Sequence, residues 1–585
     1  MSLRSLLAAG LIALSACAGP MAADSAAAPV AVEIIAFNDF HGNLEPPKQA
    51  ITAPGGDAPD SVKVPAGGAA YFASAVASLR AAHSNSILVS AGDLIGASPL
   101  TSAIFLDEPT VLAMNRIGLD LNAVGNHEFD KGSAELLRMQ KGGCEQHMVR
   151  RPCALERFPG ARFRFLAANV ATADGQTLFP AYALRDFGRG RARARIGFIG
   201  LTLRETATLV TPAGIAGLTF RDEAETINAL VPRLRAEGAD AIVVLIHQGL
   251  STKVGYDDKS CGGVDGDLLK VLARLDPAID LVVSGHTHNA YICDYGRIDP
   301  TRPFLVTSAG KYGTLLTDIA LSIDPRARKV VAKRADNLIV QGEMFGAVPL
   351  SDRYPRYPRD PAIAALVARY AAAAAPLAQR VVGHMTGPAL EDDTPSKEQV
   401  LGDLIADAHL AATRAAAAGG AQLAFTNGSG VRTDIEPGPD GRVTYGQIFA
   451  AQPFGNSLVV KTMTGRQIRQ VLEQQFASRS NTPQHPSILL PSANVRFAYD
   501  LSRPAGERIV ELTIDGAPVR EETAYRVTMN SFLATGGDNF SVFAEGTDPV
   551  GGPQDIDALE AYFAASPTLV PPVPDRIRKI AAPAP

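Results

Sequence analysis

Five of the ten histidines fall in short polar motifs that directly follow apolar runs: Asn38-Asp39-Phe40-His41-Gly42-Asn43, Gly125-Asn126-His127-Glu128, His247-Gln248-Gly249 and Gly285-His286-Thr287-His288-Asn289. A further apolar run ends in Ala91-Gly92-Asp93. Asp39, His41, Asp93, Asn126, His247, His286 and His288 together supply seven nitrogen and oxygen donors without a thiolate. Because one carboxylate can bridge two ions, seven donors suffice for two cation sites with positions left open for water and substrate. Imidazole mixed with carboxylate and amide suits Zn, Mn, Fe or Co rather than Ca or Mg. Two such ions side by side lower the pKa of a bound water and so can activate it. A lone Asp-x-His or His-x-His is usually a turn residue or a satisfied polar group, but several in succession, each at the end of an apolar run, make that reading poor.

Something must bring these motifs to one place. From Val30 to about Asp336 short apolar runs (Val32–Phe37, Ile87–Ser90, Ile196–Gly200, Ala241–Ile246, Ile279–Ser284) alternate with helical stretches such as Ala69–Ala82 and Glu223–Ala236. That order predicts an α/β domain with mostly buried strands, in which ligands bind beyond the strand C-termini. Glycine beside each motif permits the sharp turn that gathers the side chains. Tyr354-Pro355-Arg356-Tyr357-Pro358 and the Ala-rich stretch Pro361–Gln379 read as a Pro-punctuated linker and a connecting helix, a place for two domains to hinge. A second α/β domain follows, with helices at Leu401–Ala417 and Gly465–Phe476 and strands at Gln422–Thr426, Ser457–Thr462 and Tyr525–Met529. The expected division is 30–340, 341–380 and 381–580.

The succession Asp-x-His, Gly-Asp, Gly-Asn-His-Glu, His, Gly-His-x-His resembles the calcineurin-like metallophosphoesterase superfamily. The wording Asn38-Asp39-Phe40-His41-Gly42-Asn43-Leu44 and Gly125-Asn126-His127-Glu128-Phe129-Asp130 is similar to its UDP-sugar hydrolase/5′-nucleotidase family. The resemblance implies a metallophosphoesterase β-sandwich flanked by helices, followed by an α/β 5′-nucleotidase domain. It implies one metal on Asp39, His41, Asp93 and His288 and a second on Asp93, Asn126, His247 and His286, with Asp93 bridging. His127 then matches the family's catalytic histidine, which stabilises the transition state or protonates the leaving group. Asp130 either orients that imidazole or caps a helix over Lys131–Gln140. In the second domain Asn427-Gly428-Ser429-Gly430-Val431-Arg432, Gln452-Pro453-Phe454-Gly455 and Phe532-Leu533-Ala534-Thr535-Gly536-Gly537-Asp538 match the family's nucleotide loops. They imply Asn427 and Arg432 on the nucleotide, Phe454 and Phe532 around the base, and Asp538 on the ribose. Two departures stand out in Lys397-Glu398-Gln399-Val400-Leu401-Gly402-Asp403, where the family carries an arginine in the segment and asparagine in place of Asp403. Lys397 supplies charge for a phosphate there but no bidentate fork.

The implied activity is hydrolysis of 5′-nucleotides, with UDP-sugars or dinucleotides as further substrates. The alternatives are a 2′,3′-cyclic phosphodiesterase with 3′-nucleotidase activity, and a surface binding protein that kept the fold without catalysis. The 585 residues are too many for one core. A net charge of −5 with no dense basic tract argues against a nucleic-acid polymer or an anionic membrane surface as partner. Arg4 and the apolar stretch Leu6–Leu14 lead to Leu14-Ser15-Ala16-Cys17, which resembles a bacterial lipoprotein signal. Lipidation of Cys17, a flexible tether over 18–29 and an outer-membrane anchor are expected, since Ala18 rather than aspartate follows the cysteine. Ordinary cleavage near Ala22-Ala23, giving a soluble periplasmic protein, is the alternative. The other four cysteines are even in number, and Cys144–Cys153 with Cys261–Cys293 is the favoured of three pairings.

Overall fold

The computed structural model describes residues 28–580 except 55–60, 149, 211, 393 and 479–480. Cys17 and most of the proposed tether lie outside the described residues.

Two six-stranded sheets build the first domain. In one, Val30–Phe37 lies parallel to Ser86–Ser90 and antiparallel to Leu315–Asp324, with Leu121–Ala123, Arg164–Leu166 and Lys329–Ile339 completing the order. In the other, Ala241–His247 lies between Ala192–Thr202 and Leu281–Ser284, parallel to both. The period of two along Val30–Phe37 decides the layering. Val30, Val32, Ile34 and Ala36 enter the core between the sheets, where Ile196, Phe198, Val243 and Leu245 meet them. Ile35 and Phe37 point the other way, under Phe72 and Val76 of the helix Ala69–Ala82. Strands buried on both faces read as continuous apolar runs, which is why they were visible without alternation. The helix Glu223–Ala236 covers the outer face of the second sheet through Ile227, Val231 and Leu234. The result is the expected sandwich flanked by helices.

The linker reading changes. Tyr354 and Tyr357 pack against the first domain's core, and Tyr354 donates to the Pro54 carbonyl at 3.0 Å. The helix Pro361–Ala378 is N-capped by Asp360, which accepts from the Ile363 N–H at 2.8 Å. It is long and apolar enough to cross a membrane. Here, though, Ile363, Leu366, Val367 and Tyr370 are buried in the first domain, while Leu377 and Ala378 at its end reach the second core. Apolar burial of that face ties most of the helix to the first domain, so the stretch is not a free linker.

The second domain has a five-stranded sheet in the order Leu489–Pro491, Leu423–Asn427, Ala524–Asn530, Ser457–Thr464, Thr547–Gln554, and a four-stranded sheet that includes Ile577–Lys579. The helix expected to run to Ala417 ends at Thr413. Its Ala-rich continuation breaks because Ala415 turns to an extended backbone before a single turn over Ala416–Ala418. Both expected disulfides are formed, with Cα separations of 5.5 Å for Cys144–Cys153 and 4.7 Å for Cys261–Cys293.

Candidate metal centre and nucleotide cleft

Each of the seven donors lies at or just past a strand C-terminus. Asp39 and His41 follow Val30–Phe37, Asp93 follows Ser86–Ser90, Asn126 follows Leu121–Ala123, His247 ends its own strand, and His286 and His288 follow Leu281–Ser284. The backbone there is unusual. Asp39, His41, Asp93, His286 and His288 all have left-handed φ, between 46° and 72°. Non-glycine residues in that region are uncommon and cost of order 1–3 kcal/mol each, and they persist where surrounding structure over-determines them. The surrounding structure is a zip of backbone hydrogen bonds between loops, Asp39 N–H to Gly92 O at 3.0 Å and His41 N–H to Asp93 O at 2.9 Å. A Cβ on Gly125 would lie 2.1 Å from Asp93 Oδ1, so only glycine lets the Asn126 loop approach.

Two donor groups result, Asp39 with His41 and His288, and Asp93 with His247 and His286. Asp93 stands between them. Its Oδ2 is 3.6 Å from His41 Nε2 and 3.0 Å from His247 Nε2. His288 Nε2 is 3.4 Å from Asp39 Oδ1, His41 and His288 bring their Nε2 atoms to 3.1 Å, and His286 Nδ1 is 3.1 Å from Asn126 Oδ1. Nitrogen and oxygen donors converging at such spacings can serve as ligands around cations. His247 Nε2 is buried against Asp93 Oδ2, and its Nδ1 is fixed by the Ala91 carbonyl at 2.8 Å. Burial works against a charge on His247, yet the carboxylates of Asp93, Asp39 and Glu128 outweigh it and raise the imidazole to about 9. Burial drives His286 down to about 3, which leaves its ring neutral with a lone pair to give. The pocket draws positive charge and offers imidazoles and carboxylates, so the residues fit divalent metal ions. Asp93 is the carboxylate that lies between the two donor groups.

His127 is not among those donors. Its Nδ1 faces both carboxylate oxygens of Asp130, at 3.0 and 2.9 Å. The helix that follows, Gly132–Lys141, begins after Lys131 without a side-chain cap, so the geometry places Asp130 on the imidazole and not on the helix. Burial opposes protonation of His127, but Asp130 and Asp93 prevail and hold its pKa above the ordinary value. Glu128 went unassigned in the sequence. It is 2% exposed and accepts from the N–H groups of Asp93, Leu94 and Gly125 at 3.0, 2.8 and 2.6 Å, which ties the two central loops together. Its position inside Gly-Asn-His-Glu was the only available signal.

The second domain closes a cleft of about 170 Å³ over this centre. Asn126, His127, Asp130 and His286 line one side; Asn427, Ser429, Arg432, Phe454, Phe532 and Asp538 line the other. Asp538 Oδ2 accepts from Asn427 Nδ2 at 2.8 Å and from the Ser429 hydroxyl, and Asn530 Nδ2 donates to Asn427 Oδ1 at 2.9 Å. Phe454 stacks on His127, with ring centres 5.7 Å apart and planes at 21°, and the Arg432 guanidinium lies 5.9 Å from the centre of the same ring.

Lys397 is not brought there. It sits exposed in a turn closed by its N–H on the Thr394 carbonyl, at φ 65°. The neighbouring acids face inward instead: Glu398 accepts from the N–H groups of Arg576 and Ile577 at 2.8 and 3.0 Å, and Asp403 Oδ2 lies 3.6 Å from Arg576 Nε. This segment clamps the C-terminal strand, and of the two cations expected on the substrate it is Arg432 that lines the cleft.

A family model for calcineurin-like phosphoesterases matches residues 32–290, and a model for the 5′-nucleotidase C-terminal domain matches residues 381–545. The chain belongs to the 5′-nucleotidase family of calcineurin-like phosphoesterases. As a member of that family it is a metal-dependent phosphoesterase. It is 28% identical over 543 residues to the endonuclease YhcR of Bacillus subtilis, a match covering 91% of this chain but 39% of that protein. It is 29% identical over 569 residues to the cell wall protein Lmo0130 of Listeria monocytogenes, covering 92% of this chain and 68% of the relative. The crystal structure of a 5′-nucleotidase precursor from Thermus thermophilus superposes with a TM-score of 0.73 at 27% identity, covering 94% of this chain and all of that one. The matched regions of this family member are the sandwich that carries the seven donors and the domain that carries the cleft loops.

Proposed function

We propose that this protein hydrolyses 5′-nucleotides outside the cytoplasm. One observation carries the reading: a single cleft is lined by Asn126 and His286 of the donor centre, with His127, at one end and by Phe454, Phe532 and the Asn427–Asp538 pair at the other. Asp39, His41, Asp93 and His288 would hold one ion and Asp93, Asn126, His247 and His286 the other. Bound there, such ions supply Lewis acidity and a nucleophile at neutral pH. The chain's own residues do the rest. Asp130 holds His127 in one tautomer, which leaves Nε2 to donate a proton or a hydrogen bond toward the phosphoryl group. Arg432 adds fixed positive charge on the facing wall. Asp538 spends Oδ2 on Asn427 and Ser429, which leaves Oδ1 for a ribose hydroxyl. Phe454 and Phe532 offer apolar faces to a base.

Phosphate release from AMP, UDP-glucose, 2′,3′-cyclic AMP and a DNA oligonucleotide, with and without chelator, tests this reading. Fastest release from AMP, abolished by chelator, is expected. Preference for the cyclic nucleotide or for DNA would overturn the assignment to 5′-nucleotides. The base contacts make a separate expectation. Phe454→Ala and Phe532→Ala should raise KM for AMP about tenfold, since a base–aromatic stack contributes about 1–3 kcal/mol, and should spare a small aryl phosphate. Equal losses on both substrates would assign these rings to the fold.

Export rests on the Leu14–Cys17 motif, on two disulfides suited to an oxidising compartment, and on the cell-wall relative. Cys17→Ser should leave uncleaved precursor or release the protein from membranes. Unchanged mass and membrane partition would remove the lipoprotein from the proposal.

A further inference from the structure

A second group of potential ligands lies part-way along the same sheet, away from the strand ends that carry the seven donors. Glu33 and Asp318 stand on neighbouring antiparallel strands, where Ile35 pairs with Asp318 and Ala320 with Glu33. Two residues apart on one face, they are diagonal neighbours within reach of each other. His83, the residue that ends the helix Ala69–Ala82, places Nδ1 3.4 Å from Glu33 Oε2. One oxygen from each acid and one imidazole nitrogen all lie within 4.8 Å of one another. Glu33 precedes Asp39 by six residues, four of them within the strand Val30–Phe37, so at the usual strand rise the group stands on the order of 10–20 Å from the catalytic donors.

The carboxylates are not exposed acids of the ordinary kind. Glu33 is 3% and Asp318 8% exposed, and Glu33 Oε1 and Asp318 Oδ1 are both buried without a hydrogen-bond partner. Two buried carboxylates in contact cannot both stay ionised unless a cation joins them. The facing charges do not provide one. Arg334 reaches only 3.9 Å from Asp318 Oδ2 and is drawn to Asp336 at 2.8 Å, and Asp336 is itself paired with Lys259. Burial, then the Asp318 carboxylate, raises Glu33 to about 8, which shows how poorly the present neighbours compensate it.

We propose that Glu33, His83 and Asp318 form a binding site for a divalent transition-metal ion such as Zn²⁺, separate from the catalytic centre. Two carboxylate oxygens and one imidazole nitrogen are the donor set such an ion takes. The 3.4 Å between His83 Nδ1 and Glu33 Oε2 is close to the separation that tetrahedral ligands adopt at about 2.1 Å from zinc. The ion would pin the end of the helix Ala69–Ala82 to two strands of the sheet, so its role is structural. His83 is partly exposed, and an open surface cleft lined by Val30, Glu33, His83 and Asn85 leads to it, which gives the ion a way in.

The test uses the full chain stripped with chelator, re-equilibrated with zinc chloride alone and desalted. Wild type is expected to retain about one zinc equivalent more than His83→Ala or Glu33→Gln. Zinc should raise the melting temperature of wild type more than that of either variant. In the absence of zinc, Glu33→Gln should be at least as stable as wild type, because a neutral amide replaces one of two buried acids that no cation joins. Crystals of wild type soaked in zinc chloride should show an anomalous peak between the three side chains. Equal zinc content in wild type and His83→Ala, or a peak at the catalytic donors alone, would overturn the site and leave a proton shared between two acids.

Discussion

Asp93→Ala is expected to lose hydrolysis by three or more decades and to lose bound metal with it. Asp93 is 1% exposed and stands between both donor groups, 3.6 Å from His41 Nε2 and 3.0 Å from His247 Nε2. Its other oxygen accepts the His127 N–H at 2.9 Å. One truncation therefore removes a proposed ligand of each site and frees the backbone that carries the His127 imidazole. Metal ions supply several kcal/mol of transition-state charge stabilisation, and each 1.4 kcal/mol is about tenfold in rate. Alanine at the left-handed φ of 50° adds strain, so Asp93→Asn is the companion variant: asparagine tolerates that backbone and keeps the volume while removing the charge. Both should fall together in turnover and in metal content by elemental analysis. Near-normal turnover at wild-type metal content in either would defeat the two-ion assignment.

His127→Ala should separate chemistry from metal binding. The imidazole sits outside both donor groups and spends Nδ1 on Asp130. Its loss should leave metal content unchanged and cost about 10²–10⁴-fold in kcat, the usual size of a positioned acid or base. Asp130→Asn should cost less in the same direction, because the amide keeps contact with the ring but withdraws the charge that holds the imidazole above its ordinary pKa. The stacking of Phe454 on His127 also couples this residue to the second domain, so KM for a nucleotide should change more in His127→Ala than KM for a small aryl phosphate. Loss of metal in His127→Ala would make it a ligand and end its assignment as the proton donor.

Residue types at strand ends were local information, and the sequence determined them. Asp39, His41, Asp93, Asn126, His247, His286 and His288 could be named because each follows a run of apolar residues, and a run long enough to be buried on both faces is visible without its neighbours. The two-domain order and the even set of four cysteines were legible for the same reason. Tertiary structure decided what those residues face. Convergence of the donors depends on strand order, which places Asp93 between two loops, and on left-handed backbone at five of the seven, held by hydrogen bonds between loops. Asp130 suited a helix cap and an imidazole equally until the helix began two residues later. Lys397 suited a phosphate by charge, but a turn sends it to solvent while Glu398 holds the C-terminal strand. The linker read from its prolines became part of the first core because the apolar face of Pro361–Ala378 had a surface to cover. Glu33, His83 and Asp318 carried no signal at all. They are 235 residues apart from His83 to Asp318 in the chain, and only the pairing of a first strand with a late one, capped by the end of a helix, brings two buried acids up to a partly exposed imidazole.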